Sequence, residues 1–173
     1  MTHDDLVVKI IGDALPDAIE EVADFRGERT IVVRQNRIKD VCRLLRDDPA
    51  LKYSFLSDIS ADDYLPDYPR FAVNYHLLSM ANKHRLRLRV WVEDPDDGPE
   101  TMAEIWPIAT WLEMEVWDLM GVRFAGNGSL RRLFLPEDWQ GHPLRKDYPL
   151  GYEEVQFSFN WQEIDAKKPY AKE

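Results

Sequence analysis

Phe71-Ala72-Val73-Asn74-Tyr75-His76-Leu77-Leu78, followed after a short gap by Arg85-Leu86-Arg87-Leu88-Arg89-Val90-Trp91-Val92, decides the fold class. Phe71, Val73, Tyr75 and Leu77 alternate with Ala72, Asn74, His76 and Leu78, and Leu86, Leu88, Val90 and Val92 alternate with Arg85, Arg87, Arg89 and Trp91. Successive side chains of a strand point to opposite faces, so this period of two predicts two half-buried strands. Ala81-Asn82-Lys83 is a natural joint, which makes the pair antiparallel neighbours. A sheet with one apolar face needs helices to cover it.

Upstream, Leu6, Ile10 and Leu15 predict a helix ending before Pro16, because proline disfavours helical geometry in the residue it follows. Ala18 to Phe25 and Arg29 to Arg34, joined by Arg26-Gly27-Glu28, read as a hairpin carrying the β-branched run Thr30-Ile31-Val32-Val33. Asn36 is placed to cap a helix whose apolar positions Ile38, Val41, Cys42 and Leu45 share one face, with a stop near Asp48-Pro49. Tyr53 to Ser60 is a further strand. Asp62 to Pro69 reads as a solvated loop, since its spacing lacks the glycine and terminal glutamate of a calcium loop.

Downstream, a helix is expected from about Ile105 to Met120, with Pro107 in its first turn and Gly121 as its end. Its expected buried stripe is Ile108, Leu112, Val116 and Leu119, with Trp111 at the margin. From Phe124 onward, prolines and glycines interrupt every window in which a long element could form. The chain therefore divides into an α+β core domain over 1–125, two layers with a mixed, largely antiparallel sheet packed by helices, and an extended C-terminal docking segment over 126–173.

Composition excludes several function classes. The 173 residues carry 32 acidic and 22 basic side chains, a net charge of −10, which disfavours nucleic acid and anionic lipid as partners. No run approaches the roughly eighteen apolar residues of a membrane span, and the start lacks the basic flank of a secretory signal, so a soluble intracellular chain is expected. Cys42 is the only cysteine, which leaves no internal disulfide, no CxxC pair and no iron-sulfur cluster held by this chain's thiolates alone.

The candidate chemistries are thin. Glu115 and Asp118 lie about 60° apart on one helix edge while Glu113 points well away, so the three acids cannot form one ligand cluster. Ion pairing of Glu115 and Asp118 with Arg131, Arg132 or Arg145 is the expected role. His3, His76, His84 and His142 show no metal-binding spacing, and no nucleophile elbow or phosphate loop is present. The row Arg85, Arg87 and Arg89 sits in acidic surroundings that favour ion pairs within the chain or with a neighbouring protein over RNA. A free-standing enzyme built on Glu115, Asp118 and His142 is the competing hypothesis.

The remaining outlier is Trp139-Gln140-Gly141-His142-Pro143-Leu144-Arg145-Lys146-Asp147-Tyr148-Pro149, in which aromatic anchors, rigid prolines and both charge signs share an irregular segment. Tryptophan, tyrosine and arginine concentrate binding energy at interfaces. A docking strap is one reading; a terminal arm folded back over its own domain is the other.

Trp111 to Phe124, Leu130-Arg131-Arg132-Leu133 and Gly141 to Pro149 closely resemble the signature of the thirty-kilodalton subunit family of bacterial NADH-quinone oxidoreductase, respiratory complex I. Weaker similarity reaches back through Arg46-Asp47-Asp48-Pro49 and Leu56-Ser57-Asp58. The chain departs from the family at Met114, where arginine is usual, and at Asn127-Gly128-Ser129, which puts local charge pairing there in doubt. The resemblance implies a structural component without cofactors in the peripheral arm, on the cytoplasmic side of the cell membrane and associated with it only through the complex. FMN, iron-sulfur clusters, NADH and quinone would then bind in other subunits. Its C-terminal extension would pack on the larger quinone-site subunit beside the quinone cavity and contact the iron-sulfur connecting subunits, through Glu115, Asp118, Arg131, Arg132, Trp139, His142, Pro143, Leu144, Arg145, Lys146, Asp147 and Tyr148. Relatives also serve complexes fed by ferredoxin or other donors.

Overall fold

The computed structural model describes residues 2–149 together with Gln162 and Ala166. In chain order it contains α1 (His3–Ala14), β1 (Ile19–Phe25), β2 (Glu28–Val33), α2 (Ile38–Asp47), β3 (Phe55–Asp63), β4 (Phe71–Ser79), β5 (His84–Val92) and α3 (Ala109–Met120). The strands form one sheet in the order β1-β2-β5-β4-β3, antiparallel except where β2 lies parallel to β5. The fold is the expected mixed α+β arrangement.

The register of β4 with β5 sets Phe71, Val73, Tyr75 and Leu77 opposite Val92, Val90, Leu88 and Leu86. These residues are buried in one cluster with Val7 and Ile11 of α1, Val41 and Leu45 of α2, and Ala109, Val116 and Met120 of α3. All three helices therefore cover the same face of the sheet. Each fully buried Val, Ile or Leu contributes about 1.5–3 kcal/mol, which makes this face the main source of stability. The opposite face carries Arg85, Arg87 and Arg89 and, among the described residues, no helix.

Local signals account for most boundaries. Thr2 caps α1 by accepting from the Asp5 N–H at 3.1 Å while Asp5 accepts from the Thr2 N–H at 2.9 Å. Asn36 does not cap α2; it lies in a 3-10 turn, Gln35–Arg37, that feeds straight into the helix without a side-chain cap. The strand over Tyr53 to Ser60 begins later and runs on to Asp63, because β3 pairs with β4 as far as Phe71. Pro107 precedes α3 rather than sitting inside it, and Gly121 ends the helix with a φ of 76°.

The buried side of α3 differs from the expected stripe. Val116 is buried as expected, but Ile108 is 49% exposed, and the other buried positions are Ala109, Glu113, Met114, Asp118 and Met120. The helix lies between two layers, sheet on one side and C-terminal segment on the other. Donors from that segment make burial of Asp118 tolerable, and donors from the loops before and after the helix do the same for Glu113.

Candidate docking surface

An α-helix ends with four carbonyls that its own N–H groups cannot reach. In α3 these belong to Trp117, Asp118, Leu119 and Met120. The Gly121 N–H donates to Trp117 O at 2.9 Å, and the segment after it supplies the rest. Arg132 Nη1 and His142 Nδ1 donate to Asp118 O at 3.0 and 2.9 Å, the Leu144 N–H donates to Leu119 O at 3.0 Å, and Arg145 Nε donates to Met120 O at 2.7 Å. Two guanidinium groups at this negative end also complement the helix dipole. Gly121 lies against the same groups: a Cβ there would meet the Arg145 guanidinium and come within 2.5 Å of His142 Cδ2.

Asp118 anchors the segment from the side. Its carboxylate is fully buried, accepts backbone N–H groups of Leu133, Phe134 and Leu135 at 3.0, 2.8 and 3.1 Å, and pairs with Arg132 at 3.0 Å. Burial alone would push this carboxyl up; the three N–H donors and Arg132 outweigh it and hold it below the ordinary range. Arg132 also donates to Trp139 O and Gly141 O at 2.8 and 3.0 Å. His142 packs edge-on against Trp117, and burial, with Arg145 and Arg132 nearby, lowers its affinity for a proton.

A second anchor ties the strap to the start of β4. Arg70 forms paired bonds to Asp63 at 3.0 and 2.8 Å and to Asp147 at 2.9 and 2.8 Å. The Lys146 N–H donates to Asp63 at 2.8 Å, and Lys146 Nζ donates to Leu65 O at 3.0 Å. Asp63, read from the sequence as part of a solvated loop, has a side chain only 2% exposed. Burial works against its charge, yet Arg70 and the Leu65 and Lys146 N–H groups bring its pKa down to about 2.

Glu113, set aside at the sequence level, is a third node. Its buried carboxylate accepts from Thr101 Oγ1 at 2.6 Å, the Met102 N–H at 2.7 Å and Asn127 Nδ2 at 2.9 Å. Burial raises its pKa despite these donors. Asn127 is one of the departures from the family pattern, and here it fills a specific donor role. Met114, the other departure, is buried. The spacing of the acids alone carries no sign of Glu113's partners, which come from loops on both sides of α3.

The structure thus brings Asp118, Arg132, Trp139, His142, Leu144 and Arg145 together, and Lys146 and Asp147 onto Asp63 and Arg70. Tyr148 lies against Gly141, where a Cβ would sit 2.8 Å from its ring. Pro143 is half-buried within the same turn. Of the expected ion pairs, only Asp118 with Arg132 forms; Glu115 and Arg131 have none among the described residues, and Arg145 binds a carbonyl instead. The part of the predicted tail after 149 lies outside the described residues apart from Gln162 and Ala166. At the start of α3, Ile108 and Trp111 are 49% and 52% exposed, and in the C-terminal segment Phe134 and Leu144 are 64% and 59% exposed.

Asp118 accepts from four donors and His142 donates Nδ1 to a carbonyl, so both side chains are engaged in holding the segment to α3. Cys42 is fully buried, which pushes its thiol far up. Among the described residues no group of three His, Cys, Asp or Glu is placed to hold a metal ion, and no helix is long and apolar enough to cross a membrane.

The family model "Respiratory-chain NADH dehydrogenase, 30 Kd subunit" matches residues 31–154. The C subunit of NADH-quinone oxidoreductase from Roseiflexus castenholzii is 51% identical over 160 residues, 92% of each chain. That of Geobacter sulfurreducens is 48% identical over 134 residues, 77% of this chain and 82% of the relative. The structure of a trypsin-resistant fragment of Nqo5 is 29% identical, with a TM-score of 0.60 over 73% of this chain and 98% of the fragment. A chain of an archaeal membrane-bound sulfane sulfur reductase shares the fold, with a TM-score of 0.71 at 21% identity over 99% of this chain and 97% of its own.

Proposed function

From the premise that this chain belongs to the 30 Kd subunit family of respiratory-chain NADH dehydrogenase, we propose that it is a structural component of a proton-translocating NADH-quinone oxidoreductase. It sits in the peripheral arm on the cytoplasmic side of the membrane. Without binding a cofactor itself, it holds the quinone-site subunit and the iron-sulfur connecting subunits in register, while FMN, clusters, NADH and quinone occupy its neighbours. A relative fed by ferredoxin or another donor needs the same scaffold, so the donor is assigned to NADH on the names of the curated relatives.

The observation that carries this reading is that the buried carboxylates of Glu113 and Asp118 and the terminal carbonyls of α3 are satisfied inside the chain, whereas Ile108, Trp111, Phe134 and Leu144 are left in water. Exposed aromatic and aliphatic side chains around a rigid frame are what an assembly interface requires. The Gly141 to Pro149 strap then serves docking indirectly, by fixing Leu144 and the turn around it, and the segment over 126–173 is the docking part beside a core over 1–125. A trypsin-resistant fragment of Nqo5 supports a stable body shorter than the whole chain.

The test is purification of the tagged chain from detergent-solubilised membranes of its source, followed by mass spectrometry. The quinone-site and iron-sulfur subunits should co-purify in stoichiometric amounts. Recovery as a monomer without them would overturn the assignment.

A further inference from the structure

The face of the sheet opposite the three helices carries its charges unevenly. Strand register aligns Ser60, Asn74 and Arg89 in one row, Asp58, His76, Arg87 and Thr30 in the next, and Phe55, Leu78 and Arg85 in the last. At the first row the charge is closed: Arg89 donates to Asn74 Oδ1 at 2.8 Å, pairs with Asp62 at 3.4 Å and lies over the Tyr64 and Trp91 rings. At the other end it is open. Arg87 donates only to Thr30 Oγ1, at 2.7 Å, and neither Arg85 nor Lys83 has an ion pair among the described residues. All three cations line an open trough that also holds Phe55 and Met80, 51% and 65% exposed.

Asp4, Glu28 and Asp58 line the same trough; Asp4 lies 3.1 Å from His84, and among the described residues neither Glu28 nor Asp58 comes within ion-pair distance of a cation. On a chain of net charge −10, three cations without an ion pair among the described residues, around two exposed apolar side chains, stand out. Arginine, methionine and phenylalanine are enriched at interfaces, and a free guanidinium fork favours a carboxylate. A second copy of this chain related by a two-fold axis would bring like charges together, and the overall charge opposes nucleic acid.

We propose that this trough is a second interface within the assembly, filled by an acidic amphipathic segment of another protein of the same complex. Its carboxylates meet Arg85 and Arg87, and its apolar side chain covers Phe55 and Met80. The proposal rests on the reading of this chain as part of a larger enzyme, and it uses the face opposite α3 and the strap.

Zero-length carbodiimide coupling of the intact purified complex tests it, because that reagent joins a lysine only to a carboxylate in contact with it. Lys83 should be found joined to an aspartate or glutamate of a different protein of the complex. It should also be acylated more slowly in the complex than in the isolated chain. Coupling only to Glu28, Asp58 or another acid of this chain, coupling to a second copy, or equal acylation in both samples overturns the proposal. The double variant Arg85→Glu/Arg87→Glu should lower the yield of assembled complex by about tenfold while leaving the isolated chain's melting temperature unchanged. An undiminished yield also overturns it, as does a loss reproduced by nuclease treatment of the wild-type sample. If other subunits co-purify and Trp111 and Leu144 are shielded while Lys83 stays fully reactive, only this interface fails and the reading of the chain as a structural component stands.

Discussion

The strap from Gly141 to Pro149 and the trough on the opposite sheet face contain the same kinds of residue, yet they use them differently. Arg132 and Arg145 of the C-terminal segment are committed to carbonyls and a carboxylate of their own chain. Arg85 on the sheet has no ion-pair partner among the described residues, and Arg87 has a single hydroxyl. Residue type alone marks both regions as interfaces; only the hydrogen-bond partners separate a segment that builds the fold from a surface with unused donors. The separation can be broken by removing internal partners, whose loss must be felt by the isolated chain.

The largest effect is expected at Asp118. Replacing it by alanine leaves Arg132 and the N–H groups of Leu133, Phe134 and Leu135 without their acceptor at a buried position. Breaking a buried charged pair from one side costs about 3–5 kcal/mol. For a chain of this size that lowers the melting temperature by about 10 °C or more. A change under a few degrees in calorimetry of the isolated chain would mean that the strap is not part of the folded body.

Next comes the pH dependence of the second anchor. Asp63 has a folded-state pKa of about 2 against an ordinary 3.8. A carboxyl depressed on folding adds stability above the unfolded value and loses it as pH falls through the folded one. Asp63 therefore contributes on the order of 2 kcal/mol above pH ~4 that disappears as pH falls through about 2. Urea titrations of wild type and Asp63→Asn should differ most near neutrality and converge only as pH approaches ~2. Parallel curves across that range would contradict the Arg70 and Lys146 contacts.

Gly121→Ala is expected to cost about 2 kcal/mol. The φ of 76° is unfavourable for alanine, and the new Cβ meets His142 and Arg145. Truncating Arg145 to alanine in the same chain removes part of the clash. The two changes should therefore be less than additive by about 0.5 kcal/mol or more in a double-mutant cycle. Strict additivity would place Arg145 away from the helix end.

The contrast between regions also explains what the sequence could reveal. The sheet was legible because a strand's face is decided by residues two apart, so β4 and β5 and their inward sets followed from local alternation. Helix α3 was legible as a helix but not in its orientation. Its second covering layer comes from residues well downstream, and a buried Glu113 or Asp118 looks like a surface acid until its donors are known. The strap was legible as an outlier but not as a helix cap, since Arg132, His142, Leu144 and Arg145 reach carbonyls roughly 15 to 25 positions earlier through contacts with no periodic trace. Asp63 was misread for the same reason, its partner Lys146 being 83 positions away.

The smallest effect is expected at Glu115 and Arg131. Glu115 and Arg131 were grouped with Asp118 and Arg132, but among the described residues neither has an ion pair, and Arg131 is exposed. Glu115→Gln and Arg131→Ala should each change the stability of the isolated chain by no more than about 0.5 kcal/mol, as surface substitutions without internal partners do. Their consequence, if these side chains belong to the docking rim, should emerge only when the chain is assembled, as reduced recovery of the quinone-site subunit beside an unchanged melting curve. A drop in the isolated chain's stability comparable to that of Asp118→Ala would instead place them among the residues that hold the strap, and the division between satisfied buried groups and an available rim would have to be redrawn along α3.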